Sequence, residues 1–388
     1  MKICYLTESI LPSFSADSVN SMRMCNGLAQ AGHEVVLVVP DRPLPVPVNE
    51  DPHAYYGIPA SFRIDKIPWR LIAGRSYYYG YCAARHCRRL KPDLVYSRSN
   101  WEAMFSAWLG LPTVFEAHMA IGGRVTERMF SFLLGSRNLK GIVSISDALK
   151  KYLVDEWSYP GERIVVARDA ADVGDVSPLD LAIGRRGVVK VGYAGMLVPG
   201  RGIEFMFALA ARLPGMDFHI LGGTPGQVDY WRKQNPGANV YFHGGQPPRN
   251  VPRWLKACDI VIAPYGQKVT IGLGEEALIT NWTSPMKLFE YMAAGKAIVC
   301  SDLPVLREFM RSGENSLLCP PGEVEPWVEA LSRLAADSSL RTRLGAQALR
   351  EVKENYSWRK RAELVLKGLG IVGVSSFLIV QRPRSPSP

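Results

Sequence analysis

Along the whole chain, short apolar runs of strand length alternate with segments that have the apolar spacing of an amphipathic helix. In the first half, the apolar runs KICYL, HEVVLVV, DLVYS, PTVFEAH and GIVSIS have strand length, and SMRMCNGLAQAG has the spacing of an amphipathic helix. In the second half, VVKVGYAG, DFHILGG, NVYFHGG, DIVIAPY, KAIVCS and SLLCP are strand-like, and IEFMFALAARL follows the first of them as a helix. Strands that alternate with helices predict parallel α/β layers.

The alternation of strand-like and helix-like segments begins once in each half of the chain, which predicts two doubly wound domains. Residues 169–187 lack clear periodicity and contain Gly and Pro, so we place the boundary there. The predicted units are residues 1–175 and 176–355. Open parallel sheets bind ligands beyond the carboxyl ends of their strands, so the cleft between two facing sheets is the expected site.

Length and composition agree with this division. The 388 residues exceed what one hydrophobic core normally serves, and 47% apolar with 21% charged residues is ordinary globular composition. The seven cysteines contain no C-x-x-C pair, which favours a reducing compartment over a disulfide framework or a zinc site. The N-terminus lacks the apolar core of a signal peptide, and no run is long enough to predict a spanning helix. We therefore expect a cytoplasmic protein.

The segment TNWTSPMKLFEYMAAG, residues 280–295, contains the first candidate site. Thr283 or Ser284 can cap a helix whose first turn includes Pro285, and the free N–H groups of that turn attract an anion. Lys287 adds a full positive charge there, and Glu290, one turn further on, can accept hydrogen bonds from a sugar diol. Phosphate and ribose together describe a nucleotide. For this helix alone, however, a local Lys287–Glu290 salt bridge is the simpler interpretation.

A second basic loop strengthens the nucleotide interpretation. GYAGMLVPGRGIEF, residues 192–205, predicts a strand, a glycine turn and a helix, with Arg201 between Gly200 and Gly202 at the helix entrance. Glycines permit close backbone approach, and arginine binds phosphate with two parallel hydrogen bonds. Two anion sites in one domain are stronger evidence than either alone.

Several segments closely resemble the glycosyltransferase family 4 pattern. The resemblance is carried by SPMKLFEYMAAGKAIVCSDLPVLREFM with GENSLLCPPGE, and by YAGMLVPGRGIE, HILGG, YFHGG, ACDIVIAPY, GLAQAGHEVVLV, PDLVYSRS, PTVFEAH and IVSISDALKKYL. It implies a GT-B fold, in which two Rossmann-like domains face a cleft and a C-terminal helix, about residues 356–375, crosses back to the first domain. It also implies transfer of a sugar from a nucleoside diphosphate with retention at the anomeric carbon, usually without a metal or another cofactor.

The resemblance assigns roles to four residues. Glu290 matches the glutamate that binds the donor ribose, Arg201 matches the residue that holds the diphosphate, and Lys287 matches a second phosphate ligand. His118 matches a histidine on the donor-sugar side of the cleft. Taken alone, a histidine at a strand end is more often structural. Glu116 should point to the opposite strand face if the strand continues past it.

Further residues complete the predicted donor site. We include Gly195, Gly202, Gly244, Ser284, Pro285 and Met286. Asp17 and Asn20 are weaker candidates, because they fall in SFSADSVNS, residues 13–21, which we interpret as a loop near diphosphate and acceptor; the alternative is that they cap the next helix.

The chain departs from the family pattern at two donor contacts. Trp282 stands where the family often has a glutamate, and Met196 stands where it usually has an arginine. Glu275 or Glu276 could compensate from the preceding loop. These departures suggest one alternative, a noncatalytic subunit that binds nucleotide-sugars. A nucleotide-sugar epimerase of the same fold is a second alternative; it would need acid/base carboxylates in the cleft and no acceptor, and the family resemblance argues against it.

Charge and aromatic residues indicate the partners. The net charge is +10, yet residues 1–175 hold 20 basic and 18 acidic side chains and no nucleic-acid recognition motif. We therefore expect a nucleotide-sugar donor, a carbohydrate or lipid-linked acceptor and no nucleic acid.

One predicted helix places basic and aromatic groups on one side: Tyr77, Tyr81, Arg85, Arg88 and Arg89. That face, the basic excess after Leu340 and the apolar residues 364–380 could dock the protein on the inner face of a membrane, although a solvated helix is the simpler interpretation. Residues 381–388 are predicted to be a disordered tail.

Overall fold

The chain forms two parallel sheets, each covered by helices. The computed structural model describes residues 1–43, 50–181, 183–198, 201–234, 237–266, 269–271, 275–277 and 282–371. The predicted tail 381–388, most of the apolar segment 364–380 and Gly200 lie outside these residues. None of the helices in the described ranges is both long and apolar enough to cross a membrane.

The first sheet has seven parallel strands, in the order β3-β2-β1-β4-β5-β6-β7. Their bounds are β1 Lys2–Leu6, β2 Glu34–Asp41, β3 Arg63–Pro68, β4 Leu94–Ser97, β5 Thr113–Ala117, β6 Leu139–Ser144 and β7 Ile164–Val166. The accompanying helices are α1 Ala16–Gln30, α2 Pro52–Tyr56, α3 Arg75–Leu90, α4 Asn100–Trp108, α5 Arg124–Leu134 and α6 Asp147–Asp155. The strand order reverses between β1 and β4, which is where such sheets place their ligands.

The second sheet has six parallel strands, in the order β10-β9-β8-β11-β14-β15, and a separate two-stranded ribbon pairs β12 with β13. The strands are β8 Val189–Ala194, β9 Met216–Leu221, β10 Val240–Gly244, β11 Ile260–Ala263, β12 Val269–Ile271, β13 Glu275–Ala277, β14 Ala297–Ser301 and β15 Leu317–Cys319. The helices are α7 Ile203–Arg212, α8 Pro225–Gln234, α9 Val251–Lys256, α10 Met286–Ala293, α11 Val324–Ala336, α12 Ser338–Asn355 and α13 Trp358–Gly368. Here the order reverses between β8 and β11.

The last helix returns to the first sheet. Trp358, Ala362, Val365 and Leu366 of α13 are buried in the same apolar cluster as Ile3 of β1. Gly27 of α1 permits this packing, because a Cβ there would lie 2.5 Å from the Trp358 carbonyl oxygen. The predicted crossing of a C-terminal helix back to the first domain is confirmed.

Candidate functional site

Glycine turns at the carboxyl ends of β8, β9 and β10 bring the backbone of the second domain close together. Gly195 N–H donates to the Leu221 carbonyl at 2.9 Å, and Gly222 N–H donates to the Gly244 carbonyl at 2.9 Å. A Cβ at Gly222 would lie 1.9 Å from the Gly195 carbonyl oxygen. A side chain is therefore excluded at Gly222, because the backbone of two strand ends meets there.

Lys287 reaches these turns from the first turn of α10. Its Nζ donates to the Tyr193 hydroxyl at 3.2 Å and lies 4.3 Å from the centre of the Tyr193 ring. A Cβ at Gly195 would lie 2.7 Å from the same Nζ. Burial is the main cause that lowers the pKa of Lys287 to about 7, and repulsion from the Arg201 cation adds to it. The ammonium is thus held beside the glycine turns in an environment that disfavours its charge.

Arg201 precedes α7, whose N-cap is Gly202 with φ +87°. A Cβ at Gly202 would lie 2.5 Å from the Pro264 carbonyl oxygen, which explains the glycine. Arg201 Nε is buried and has no hydrogen-bond partner in the part of the chain that the structure describes. In the same described part, neither Arg201 nor Lys287 forms an ion pair. Two neighbouring cations without a counter-ion are suited to hold an anion.

Glu290 lies one turn beyond Lys287, on the cleft-facing side of α10. Burial raises the pKa of Glu290 to about 7, although Arg23 of α1 and Lys287 oppose the shift. Glu290 and Arg23 line a common cleft with Asp172 from the connection between the domains. The described residues show no Lys287–Glu290 salt bridge, so the simpler local interpretation is wrong.

The entry to α10 differs from the prediction. The N-cap is Pro285, not Thr283 or Ser284, and Met286 is the first helical residue. The Ser284 hydroxyl does not cap the helix because it accepts a hydrogen bond from Asp169 N–H at 2.8 Å. Met286 instead packs against the apolar cluster of the first domain. Ser284 therefore joins α10 to the connection between the domains.

His118 follows β5 on the first-domain side. The strand ends at Ala117, so the alternation that would separate Glu116 from His118 stops there. His118 Nε2 lies 2.7 Å from Glu116 Oε1, and Arg98 donates to His118 Nδ1 at 3.2 Å. Burial and the Arg98 cation lower the pKa of His118 to about 4, so the imidazole is neutral at neutral pH.

The buried carboxylate of Glu116 holds the imidazole of His118 in place. It accepts from Tyr96 and from Arg361 of α13, the latter at 3.0 Å. Although burial opposes ionisation, the Arg361 and His118 contacts hold the pKa of Glu116 well below its usual range. The helix that crosses back thus fixes the orientation of His118.

Asp17 and Asn20 lie in the first turns of α1, not in a loop. The Ser15 N-cap makes no side-chain capping bond, and Asp17 is exposed. Asn20 is buried, and its Nδ2 donates to Asp169 Oδ1 at 2.7 Å. Asn20 therefore connects α1 to Asp169, and through Asp169 to Ser284.

The two departures from the family pattern have different surroundings. Trp282 packs against Tyr152 of α6 with ring centres 5.1 Å apart, and its carbonyl accepts from Ser146. Met196 is 52% exposed. The side chains of Glu275 and Glu276, predicted to compensate, lie outside the described part of the structure. The position that often supplies a donor contact is thus used here for contact between the domains.

Sequence reasoning missed four charged residues around this cleft: Arg23, Arg98, Asp169 and Arg361. Their partners are distant along the chain, so no local pattern of charges indicates these contacts. Only Arg98 has a signal in the sequence: it directly follows an apolar strand, and ligands bind at the carboxyl ends of such strands.

Two family models match the chain: "Glycosyltransferase Family 4" over residues 21–175 and "Glycosyl transferases group 1" over residues 189–337. The chain belongs to glycosyltransferase family 4. Both halves of this family 4 protein are thus matched, and the segments quoted for the resemblance fall largely within the two ranges.

Curated relatives of this family 4 protein include enzymes named for inositol-containing molecules. A phosphatidyl-myo-inositol mannosyltransferase of Mycolicibacterium smegmatis is 25% identical over 255 residues, which are 64% of this chain and 62% of the relative. A D-inositol 3-phosphate glycosyltransferase of Stackebrandtia nassauensis is 22% identical over 319 residues, 72% of this chain and 68% of the relative. The match to the first of these spans less than two thirds of its length.

Solved structures share the fold over nearly the whole chain. Anabaena HepE in complex with UDP and glucose has a TM-score of 0.70 at 15% identity, covering 96% of this chain and 100% of HepE. Sucrose-phosphate synthase from Thermosynechococcus elongatus has a TM-score of 0.70 at 16% identity, covering 94% of this chain and 97% of the synthase. The family 4 protein has the GT-B fold.

Proposed function

We propose that this protein is a retaining glycosyltransferase that moves a sugar from a nucleoside diphosphate to an acceptor hydroxyl in glycan or glycolipid biosynthesis. One observation carries the proposal: the two cations Lys287 and Arg201 lie at the glycine turns of the second sheet without a counter-ion in the described residues. A diphosphate supplies the missing negative charge. The glycine turns leave room for its oxygens to approach the backbone.

Glu290 supports the nucleotide part of the proposal. Its carboxyl group lies one helical turn from Lys287, so it can accept hydrogen bonds from a ribose while Lys287 holds the phosphates. The structure of HepE, which has the same fold, is a complex with UDP and glucose. We propose the same class of donor here, without assigning the base or the sugar.

The proposed chemistry needs no protein nucleophile. The acceptor oxygen forms a bond to the anomeric carbon while the bond from that carbon to the diphosphate oxygen breaks. The acceptor proton passes to an oxygen of the leaving diphosphate on the same face, which gives retention. Lys287, Arg201 and the start of α10 stabilise the negative charge that develops on the leaving group. We propose that this step needs no metal.

His118 and the first domain complete the site. The imidazole is neutral, and the Glu116–Arg361 contact holds it, so it can lie against a donor sugar without adding charge. Asn20, Asp169 and Ser284 join the two domains beside it. We propose that His118 contacts the donor sugar.

A product analysis tests the proposal against its rivals. The protein is incubated with UDP-, GDP- and ADP-sugars, with and without an acceptor panel of sugars, inositol phosphates and phosphatidylinositol. We expect acceptor-dependent release of nucleoside diphosphate and a product with the anomeric configuration of the donor. An epimerised nucleotide-sugar without acceptor would support the epimerase instead. Donor binding without turnover on every acceptor would support a noncatalytic subunit, an alternative that the Trp282–Tyr152 packing favours.

We also propose that the acceptor is lipid-linked and reached at a membrane surface. Arg85, Arg88 and Arg89 of α3 are exposed, as are Leu71 and Ile72 just before that helix. Tyr77 and Tyr81 pack against Trp101 and Phe105 of α4, so only part of the predicted aromatic face is available. The phosphatidyl-myo-inositol in the name of one relative is a lipid of the expected class.

A further inference from the structure

Arg98 is a charged side chain of the cleft to which the proposed donor chemistry gives no role. It directly follows β4, beside the point where the first sheet reverses its strand order. One guanidinium nitrogen donates to the Asp17 carbonyl at 3.0 Å and the other to His118 Nδ1 at 3.2 Å. Within the described residues Arg98 forms no ion pair. Its charge is therefore held by two neutral acceptors, and several of its five N–H groups remain available.

The contact with Arg98 determines which nitrogen of His118 carries the proton. Nδ1 accepts from Arg98, so Nε2 carries the hydrogen and donates to Glu116 at 2.7 Å. Both ring nitrogens are thus occupied, and neither is free for a sugar hydroxyl. For His118 to bind a substrate, one partner must move.

The two partners of His118 differ in how firmly they are held. Glu116 is buried and accepts from Arg361 and Tyr96, so moving it would leave a buried charge unpaired. Arg98 is only half-buried and is held by a carbonyl and an imidazole. Arg98 is therefore the partner that can leave.

We infer that Arg98 recognises a phosphate group of the acceptor, and that its guanidinium exchanges the contact with His118 Nδ1 for that phosphate when the acceptor binds. The inference rests on the proposed function, because it places an acceptor in the same cleft. A charge-assisted, bidentate contact to phosphate is stronger than hydrogen bonds to neutral groups, which favours the exchange. The donor diphosphate is the weaker candidate, since Lys287 and Arg201 already serve it from the other domain. Arg98 is thus a positioning residue for His118 and a specificity residue for the acceptor.

Nitrogen NMR of His118 tests the exchange directly. Protein labelled with ¹⁵N-histidine is titrated with inorganic phosphate, D-inositol 3-phosphate, myo-inositol and phosphatidylinositol vesicles, and the His118 resonances are assigned with His118→Gln. We expect the Nδ1 resonance to move with the phosphate-bearing probes and to stay unchanged with myo-inositol. A response to D-inositol 3-phosphate alone would identify a soluble phosphate ester, and a response to the vesicles would identify a lipid headgroup.

Variants separate recognition from folding. Arg98→Gln should bind the responsive probe roughly tenfold more weakly or worse, because it loses a charged hydrogen bond, and its Nδ1 should no longer respond. Arg98→Lys should keep part of the binding, and Arg124→Gln, at an exposed arginine of the same domain, should match the wild type. An unmoved Nδ1 in the wild type at saturating probe, or equal binding by Arg98→Gln, would overturn the inference. Nucleoside diphosphate binding is measured in parallel, since its absence from the wild type would count against the proposed donor site and not against Arg98.

Discussion

Burial shifts the pKa values of Lys287 and Glu290 in opposite directions, and both end near neutral pH. The pKa of Lys287 is lowered to about 7 and that of Glu290 is raised to about 7. In an unliganded protein this arrangement disfavours both charges. Such a cost is expected at a site that is shaped for a ligand rather than for the stability of the fold.

Glu290→Gln should therefore change stability and activity in opposite directions. The folded-state pKa of Glu290 lies above its unfolded value, so the folded protein loses stability as pH rises through about 7. We expect Glu290→Gln to raise the melting temperature relative to wild type above that pH, and to lose this advantage well below it. Donor turnover should fall at every pH. Thermal unfolding at several pH values measures the first effect, with exposed Glu354→Gln as the control; a constant difference across pH would contradict the assignment.

Lys287 should take up a proton when it binds a diphosphate. At about pH 8.5 the free side chain is largely neutral, and a neighbouring anion favours its ammonium form. Calorimetry of nucleoside diphosphate binding in buffers of different ionisation enthalpy should show net proton uptake. Lys287→Met should abolish that uptake. Equal uptake by the wild type and Lys287→Met would mean that another group titrates.

The contacts of individual side chains were harder to predict from the sequence than the strands and helices. The three-residue spacing placed Lys287 and Glu290 on one face, because helix geometry is local. The Asn20–Asp169–Ser284 chain of contacts joins residues more than a hundred positions apart, so no local pattern could indicate it. The same distance explains the wrong capping assignment at Ser284.

Helix α1 is the element on which several parts of the site converge. It carries Asn20 and Arg23 toward the cleft and packs on α13 through Gly27. The strands on either side of it were predictable from their apolar runs, and β1, β2 and β8 lie where the pattern indicated. The edge strands β3 and β7 were missed, because RIDKIP has few apolar positions and IVV is very short.

Gly27→Ala tests the contact between α1 and α13. The added methyl would lie 2.5 Å from the Trp358 carbonyl oxygen, so we expect overpacking to reduce the free energy of unfolding by about 1–3 kcal/mol. Gly226→Ala is the matched control, since Gly226 also lies in a helix and a Cβ there would meet nothing within 4 Å. Urea unfolding should show the control unchanged or slightly more stable. An equal effect of the two substitutions would show that helix propensity, not packing, decides the outcome.

In the whole molecule, polar contacts join the two domains at two separate places. Glu308 of the second domain accepts from the backbone N–H groups of Asp147 and Ala148 at the start of α6. At the second place, Arg249 of the second domain donates to Glu50 of the first at 2.6 Å. The sequence predicted that two sheets face one another, but which loops touch depends on distant pairs that no periodicity reveals.

The basic face of α3 should bind anionic vesicles in a salt-sensitive manner. Each basic side chain near an anionic surface contributes about 1 kcal/mol, so replacing Arg85, Arg88 and Arg89 together by Gln should weaken binding by roughly two orders of magnitude. Vesicle sedimentation at low and physiological salt measures it, and Arg232→Gln with Lys233→Gln on α8 is the control. The absence of vesicle binding at low salt, together with full activity on a soluble acceptor, would rule out the membrane proposal.

Calorimetric binding of a nucleoside diphosphate tests whether Lys287 and Arg201 form the donor site. UDP, GDP and ADP are titrated calorimetrically into the wild type, Arg201→Ala and Lys287→Ala at neutral pH. We expect at least one of the three to bind the wild type, and each substitution to weaken binding by roughly tenfold or more, because a charge-assisted contact is lost. Affinity unchanged in both variants, or no binding of any of the three to the wild type, would contradict a donor site built on these two cations.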